Sequence, residues 1–126
     1  MSDRQTILVV EDDEEVRALV REALETRGYR LLVAAGPEEA RRLADEHRGT
    51  IHLLITDVVM PGETGPLLAD ALMAERPNLR VIYMSGFTDE AVVSNGTLPA
   101  GTTFLQKPFT LAELEQRVHA LLDASL

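Results

Sequence analysis

Short apolar runs alternate with longer amphipathic segments along the whole chain. Uninterrupted apolar runs are typical of strands buried on both faces, whereas apolar positions repeating every three or four residues indicate helices. The predicted strands are β1 (5–10), β2 (30–34), β3 (51–56), β4 (79–84) and β5 (102–106). The predicted helices are α1 (13–27), α2 (opening at Pro37), α3 (65–75), a short α4 (89–93) and α5 (110–123).

Residues that favour helix ends mark the boundaries of these helices. Pro37 is tolerated in a first helical turn, Gly28 fits a C-terminal cap, and Thr110 with Glu113 forms a capping-box pair. Helical spacing then predicts the buried face of each helix. For α1 and α5 these faces comprise Val16, Leu19, Val20, Ala23 and Leu24, and Leu111, Leu114, Val118, Leu121 and Leu122.

The alternation of strands and helices predicts an α/β fold with helices on both faces of a parallel sheet. Because crossovers between parallel strands are right-handed, the topology is restricted to a doubly wound sandwich. The stretch 87–101 is less regular, since Asn95-Gly96 and Leu98-Pro99 interrupt any long helix. We interpret it either as a surface connection or as a segment that moves with the functional site.

Length, composition and charge narrow the classes of function. A chain of 126 residues fits one domain, and 45% hydrophobic content is ordinary for a globular protein. The absence of cysteine excludes disulfides, thiolate catalysis and cysteine-ligated metals. A net charge of −9 disfavours binding to nucleic acid or to an anionic membrane. No segment resembles a signal peptide or a membrane span, so we expect a cytoplasmic location without membrane contact.

Reactive polar residues directly follow four of the five predicted strands. Glu11 and Asp12 follow β1, Asp57 follows β3, Ser85 follows β4 and Lys107 follows β5. The carboxyl ends of parallel strands meet at one edge of the sheet, where such folds bind ligands. Two carboxylates held there repel each other unless a cation intervenes, and oxygen ligands favour Mg²⁺. The pattern predicts an acidic pocket suited to Mg²⁺-assisted transfer of a phosphoryl group onto an aspartate.

Several of these residues also have a purely structural interpretation. Asp13 suits the N-cap of α1 better than a metal site, and Ser85 before Gly86 is compatible with a simple turn. A lysine after a buried strand usually extends along the surface, although a cis bond between Lys107 and Pro108 would direct it into the pocket. The ordered set at four strand ends favours the functional interpretation, because the set is more specific than any member.

At these residues the chain resembles the receiver domain of two-component response regulators. The resemblance extends over essentially the whole length. It is carried by Ile7-Leu-Val-Val-Glu-Asp-Asp13, Leu54-Ile-Thr-Asp-Val-Val-Met-Pro-Gly62, Met84-Ser85-Gly86 and Phe104-Leu-Gln-Lys-Pro-Phe-Thr110. It implies a flavodoxin-like (βα)₅ fold whose parallel strands follow the order 2-1-3-4-5.

The resemblance also implies a role for each acidic residue of the pocket. Asp57 would accept a phosphoryl group from a histidine kinase or a histidine phosphotransfer protein. Asp12, Asp57 and the backbone carbonyl of Val59 would bind Mg²⁺, and Glu11, which stands where relatives commonly have Asp, would act through a water. The domain is therefore expected to be a signalling module with self-catalysed phosphorylation and dephosphorylation, not an enzyme with an external substrate.

A response to phosphorylation is implied for the remaining site residues. Ser85 and Lys107 would contact the phosphoryl group, and Phe104 would change rotamer and so alter the α4-β5-α5 face, a surface for partners or a homodimer. Many relatives have Tyr at position 104, so a switch mediated by a hydroxyl is excluded here. Val59 and Phe87 would flank the phosphoryl group without orienting an attacking water, which predicts slow self-dephosphorylation.

Other functions fit parts of the same pattern. A small Mg²⁺-dependent phosphatase also uses paired aspartates, but Val59 occupies the place of its second acid. A flavodoxin-like binding protein is disfavoured because the loop after β1 is acidic. A degenerate receiver would be an interaction module independent of phosphorylation. The segments Tyr83-Met-Ser-Gly-Phe-Thr88 and Leu105-Gln-Lys-Pro-Phe-Thr110 are most similar to receivers of hybrid sensor histidine kinases, and a stand-alone regulator is the other interpretation.

Overall fold

A computed structural model describes residues 5–86 and 103–123 and confirms the predicted order of strands and helices. The strands of the main sheet are β1 (Thr6–Val10), β2 (Arg30–Ala34), β3 (Leu53–Asp57), β4 (Arg80–Ser85) and β5 (Thr103–Gln106). The helices are α1 (Glu14–Thr26), α2 (Pro37–Glu46), α3 (Gly65–Glu75) and α5 (Leu111–Asp123). The segment predicted as α4 lies outside the described residues.

The main sheet is entirely parallel, with the predicted strand order β2-β1-β3-β4-β5. Its register places Val10 opposite Thr56 and Asp57 opposite Met84. The carboxyl ends of the central strands are therefore level, and the residues that follow them lie at one edge of the sheet. This alignment positions the acidic pocket.

Alternate residues of each strand supply two separate hydrophobic cores. In β1, Leu8 and Val10 pack under α2 and α3, whereas Ile7 and Val9 pack under α1 and α5. All four side chains are completely buried. Because both faces of the strands are covered, these strands carry continuous apolar runs, as the sequence pattern predicted.

The helix ends mostly follow the prediction. Gly28 adopts a φ of 92°, and its N–H donates to the Glu25 carbonyl at 3.0 Å, as a C-terminal glycine cap does. Thr110 and Glu113 exchange the expected reciprocal bonds at the start of α5.

Within the described part of the chain, no helix has the length and apolar content needed to cross a bilayer.

Two residues assigned to buried helix faces are instead exposed. Leu19 is 52% exposed and Leu111 is 42% exposed, so their placement on the inner faces was wrong. On α1 the contact with the sheet runs through Val20 and Leu24, and adjacent helical positions point about 100° apart. Leu111 lies at the first position of its helix, beyond the edge of the packed stripe.

A small antiparallel hairpin, which the sequence analysis did not predict, follows β3. Its strands are Val59–Met60 and Glu63–Thr64, and Gly62 turns the chain with a φ of 89°. The Glu63 carboxylate lies 2.6 Å from the Arg41 guanidinium of α2. The hairpin is thereby attached to the helix layer beside the carboxyl edge of the sheet.

A histidine binds the backbone at the other end of the sheet, where the strands begin. The His52 backbone N–H donates to the Thr6 carbonyl at 2.9 Å, and the Thr6 N–H donates to His52 Nδ1 at 3.0 Å. Thr6 is only 3% exposed, so solvent cannot replace this acceptor easily. His52 therefore satisfies a buried backbone group far from the acidic pocket.

Candidate functional site

Backbone hydrogen bonds continue past the ends of the strands and hold the carboxyl edge together. They run from Glu11 N to Ala34 O (3.1 Å), from Val58 N to Met84 O (3.1 Å) and from Lys107 N to Ser85 O (2.7 Å). The residues that follow these strands are thus hydrogen-bonded to the neighbouring strand. The predicted meeting of these strand ends at one edge is confirmed.

A lysine bridges two buried carboxylates at this edge. Lys107 Nζ lies 2.7 Å from Glu11 Oε1 and 2.7 Å from Asp57 Oδ1. Glu11 is completely buried and Asp57 is 3% exposed. The peptide bond between Lys107 and Pro108 is cis. The cation required between neighbouring acids is therefore supplied, in this structure, by the ammonium of the chain itself.

Asp57 is poorly supplied with hydrogen-bond donors. Its 2.7 Å contact with Lys107 is an ion pair, and neither carboxylate oxygen makes a hydrogen bond of good geometry with the other described residues. Lone pairs left without donors in a buried carboxylate are costly. They are also available to a cation or to a reacting phosphorus atom.

The close packing of these charges shifts their protonation equilibria. Burial and, after it, the neighbouring Glu11 raise the pKa of Asp57 to about 8, although Lys107 opposes both effects. Burial alone would raise the pKa of Glu11, but its contacts with Asp57 and Lys107 lower it on balance. Burial alone would lower the pKa of Lys107, but the two carboxylates raise it on balance. Asp57 is therefore the acid of the pair that holds a proton more readily.

Three carboxylates form the one candidate metal cluster found in the described residues. Oxygen atoms of Glu11, Asp12 and Asp57 all lie within 4.8 Å of one another, with Asp12 exposed. A set of hard oxygen donors without nitrogen or sulfur suits Mg²⁺ or a similar ion. The residue types and spacing fit the cation that the sequence predicted.

Glu11 is held by groups from three parts of the chain. Besides the Lys107 contact, its Oε2 accepts from the Asp13 N–H at 3.0 Å, and its carbonyl accepts from Arg17 Nη1 at 2.9 Å. Asp13 has the separate role predicted for it, since its Oδ1 caps α1 by accepting from Glu15 N at 2.9 Å. Both carboxylate oxygens of Glu11 are thus engaged before any metal binds.

A glycine allows the chain to pass directly over the backbone of Asp57. The N–H of Gly65 donates to the Val58 carbonyl at 2.7 Å. A Cβ atom on Gly65 would lie only 2.1 Å from the backbone oxygen of Asp57. No side chain can occupy this position without moving the backbone that carries Asp57.

The predicted switch residues lie near the pocket, with differing surroundings. Ser85 is half-buried at the end of β4. The ring of Phe104 lies 5.9 Å from that of Tyr83, and the Phe104 carbonyl accepts from Arg117 Nε of α5 at 3.3 Å. Val59 is 48% exposed. Phe87, the other predicted flanking residue, lies outside the described residues.

Arg17 and Gly65 are parts of the site that the sequence interpretation missed. Arg17 carries a weak signal, since a basic residue one turn into α1 points back toward the acids at the helix start. Gly65 could have been suspected only because glycine is unusual where a helix begins with its cap already supplied by Thr64. Both residues contact backbone atoms of the acidic residues, Arg17 at Glu11 and Gly65 at Asp57, and local sequence patterns do not reveal such contacts.

The sequence and the fold match those of a defined protein family. The family model for the response regulator receiver domain matches residues 7–119. The sensor kinase CckA of Brucella abortus is 36% identical over 123 residues, which cover 98% of this chain and 13% of CckA. The response regulator receiver protein CpdR of the same organism is 32% identical over 120 residues, covering 94% of this chain and 98% of CpdR. The chain thus spans a small part of one relative and nearly all of the other.

Solved structures give the same result. The receiver domain of the hybrid histidine kinase CckA superposes with a TM-score of 0.77 and 38% identity, covering 93% of this chain and 98% of that domain. A response regulator receiver protein from Sinorhizobium medicae superposes with a TM-score of 0.84 and 25% identity, covering 98% of each chain. The chain therefore belongs to the response regulator receiver domain family of two-component signalling systems.

Proposed function

We propose that this receiver domain accepts a phosphoryl group on Asp57 from a phosphohistidine donor. The observation that carries the proposal is the state of Asp57, a buried carboxylate that lies 2.7 Å from a lysine ammonium and beside two further acids and has no well-formed hydrogen bond to the other residues that the structure describes. Such an arrangement costs stability if it serves structure alone. Perturbed acids in a charged cluster are typical of reactive sites.

The acidic cluster would hold Mg²⁺ during the transfer. Mg²⁺ usually takes a couple of carboxylates and keeps several waters, so Asp12, Asp57 and the Val59 carbonyl would suffice. Glu11 already uses both oxygens on Asp13 and Lys107, which supports an indirect role for it. When bound, the ion supplies positive charge that offsets the carboxylates and the phosphoryl oxygens.

Asp57 would be the nucleophile. One of its carboxylate oxygens forms a bond to phosphorus while the bond from phosphorus to the donor imidazole nitrogen breaks in line, and that electron pair remains on nitrogen. Lys107 stays beside the reacting oxygens as a positive point charge. The backbone N–H of Lys107 donates a hydrogen bond to the Ser85 carbonyl, which keeps the two residues side by side. The Ser85 hydroxyl would donate a hydrogen bond to the product, an acyl phosphate.

The neighbourhood of Asp57 favours a long-lived product over rapid hydrolysis. Val59, two residues beyond the acceptor, has no group that can orient or deprotonate a water. The same absence weakens the alternative of a small phosphatase, which needs a second acid there. The assembled charged residues likewise favour a phospho-accepting domain over an interaction module that ignores phosphorylation.

Phe104 would transmit the change to the surface. Its ring packs on Tyr83, and its carbonyl is bound by Arg117, so a new rotamer at Phe104 would disturb β5 and α5 together. The α4-β5-α5 face would then present a different surface to a partner or to a second copy. The donor would be a histidine kinase or a phosphotransfer protein in the cytoplasm, with the domain either part of a hybrid kinase, as in the CckA relative, or separate, as in CpdR.

Intact-protein mass after incubation with acetyl phosphate and Mg²⁺ tests the proposal. We expect one phosphoryl adduct on the wild type and on Asp45→Asn, a matched change at an exposed aspartate of α2. The adduct should be absent from Asp57→Asn and from wild type treated with a chelator. An adduct that survives Asp57→Asn, or no adduct on folded wild type that binds Mg²⁺, would refute the assignment.

A further inference from the structure

A half-buried arginine reaches back from α1 to the loop that carries the acidic residues. Arg17 Nη1 donates to the Glu11 carbonyl at 2.9 Å, and the Arg17 backbone N–H donates to the Asp13 carbonyl at 2.9 Å. One residue thus binds the backbone on both sides of Asp12. The first of these bonds does not belong to the helix and needs the guanidinium.

The position of Asp12 depends on its backbone. Its side chain is exposed, and no hydrogen bond to its carboxylate is found among the residues that the structure describes. The Glu11 carbonyl belongs to the planar peptide unit that joins Glu11 to Asp12. A donor fixed on that carbonyl therefore sets the orientation of the unit from which the Asp12 side chain departs.

We propose that Arg17 is a positioning residue for the cation site, because it holds the peptide between Glu11 and Asp12 and so presents the Asp12 carboxylate to a divalent cation. This inference rests on the proposed Mg²⁺ dependence of the site. Residues that orient metal ligands typically contribute ten- to a hundredfold to metal affinity. Since Arg17 acts through the backbone, we expect the lower end of that range.

The direction of the change in Mg²⁺ affinity distinguishes a positioning role of Arg17 from a purely electrostatic influence. Arg17 is itself a cation near the pocket, so its removal would strengthen Mg²⁺ binding if long-range charge were its only influence. A positioning role predicts the reverse, since the Asp12 carboxylate would lose its fixed direction. Arg21 provides the matched control, because it lies one turn further along α1, is 60% exposed and pairs only with Glu25 among the described residues.

The experiment measures the Mg²⁺ dissociation constant of the full chain by isothermal titration calorimetry, with circular dichroism to establish folding. We expect Arg17→Ala to weaken binding about tenfold, whereas Arg21→Ala leaves it unchanged or slightly tighter. Arg17→Lys keeps the charge but loses the planar guanidinium, and we expect it to weaken binding as well. If Arg17→Ala fails to fold, Arg17→Lys decides the matter by the same criterion.

The outcomes distinguish this inference from the proposed function. Wild type and Arg21→Ala that bind Mg²⁺, together with an Arg17 variant that binds it equally or more tightly, would overturn the positioning role and leave the receiver function intact. Folded wild type that does not bind Mg²⁺ would overturn both. Weakened binding confined to the Arg17 variants would support both.

Discussion

Replacing Gly65 by alanine should disturb the proposed phosphorylation site at Asp57 through the backbone alone. The new Cβ would lie 2.1 Å from the Asp57 oxygen, 3.1 Å from the Asp57 carbonyl carbon and 3.2 Å from Thr56 Cγ2. Non-bonded heavy atoms normally stay about 3.5 Å apart or more, so the overlap with the oxygen exceeds about 1 Å. The two Asp57 atoms belong to the backbone and cannot rotate away.

The energetic cost follows from these distances. Overpacking typically lowers stability by about 1–3 kcal/mol, and the hydrogen bond from Gly65 N to the Val58 carbonyl would contribute about 1 kcal/mol more if lost. Alanine regains at most about 1 kcal/mol through its helix propensity. We expect a net loss of about 1–3 kcal/mol in the free energy of unfolding.

Urea unfolding followed by circular dichroism measures the loss, and the rate of labelling by acetyl phosphate measures the displacement of Asp57. Gly36→Ala is the matched control, because Gly36 precedes α2 with an extended φ of −164° and a Cβ there would meet no atom within 4 Å. It should cost at most about 1 kcal/mol, as a weaker helix cap, and leave labelling unchanged. Equal unfolding midpoints and labelling rates for the two variants would refute the reasoning.

Three other substitutions test the raised pKa of Asp57, the hydrogen bond between Thr6 and His52, and the lifetime of phosphorylated Asp57. Burial raises the pKa of Asp57 from 3.8 to about 8, so between these values the folded chain holds a proton that the unfolded chain has released, and stability falls as the pH rises. With a chelator present, Asp57→Asn should therefore raise the Tm above that of wild type by more near pH 8 than near pH 5. A Tm difference between the two proteins that does not change with pH would contradict this. His52→Leu removes the acceptor of the buried Thr6 N–H and should lower the free energy of unfolding by about 1–3 kcal/mol in a urea titration, where an unshifted midpoint would disprove it. Val59→Asn should shorten the lifetime of phosphorylated Asp57, followed as decay of the mass adduct, and an unchanged lifetime would exclude shielding by Val59.

The sheet could be predicted because its strands are buried on both faces. Continuous apolar runs such as Ile7–Val10 have few other uses in a short chain, and the turns and caps between them are locally encoded. Helix faces were less certain at their margins. Leu19 and Leu111 have the right spacing, yet tertiary packing determines which edge of a stripe is covered.

The charged site was predicted in outline because parallel strands bring their ends together. Its finer contacts join residues far apart in sequence, such as Lys107 with Glu11, and no local pattern specifies which acid the ammonium will touch. The hairpin at 59–64 and the close approach at Gly65 arise from backbone geometry. Only a three-dimensional arrangement reveals them.

The lysine that bridges Glu11 and Asp57 has a consequence for how a partner would detect phosphorylation of Asp57. With Glu11, Asp12 and Asp57 ionised, Lys107 leaves the cluster with two formal negative charges, which one divalent cation would cancel. A phosphoryl group on Asp57 would replace one negative charge by up to two, a single unit on a chain whose net charge is −9. Beyond the Debye length of about 8 Å, so small a change is lost against that background. A partner would thus have to recognise a changed shape of the domain, because its distant electric field hardly differs between the two states.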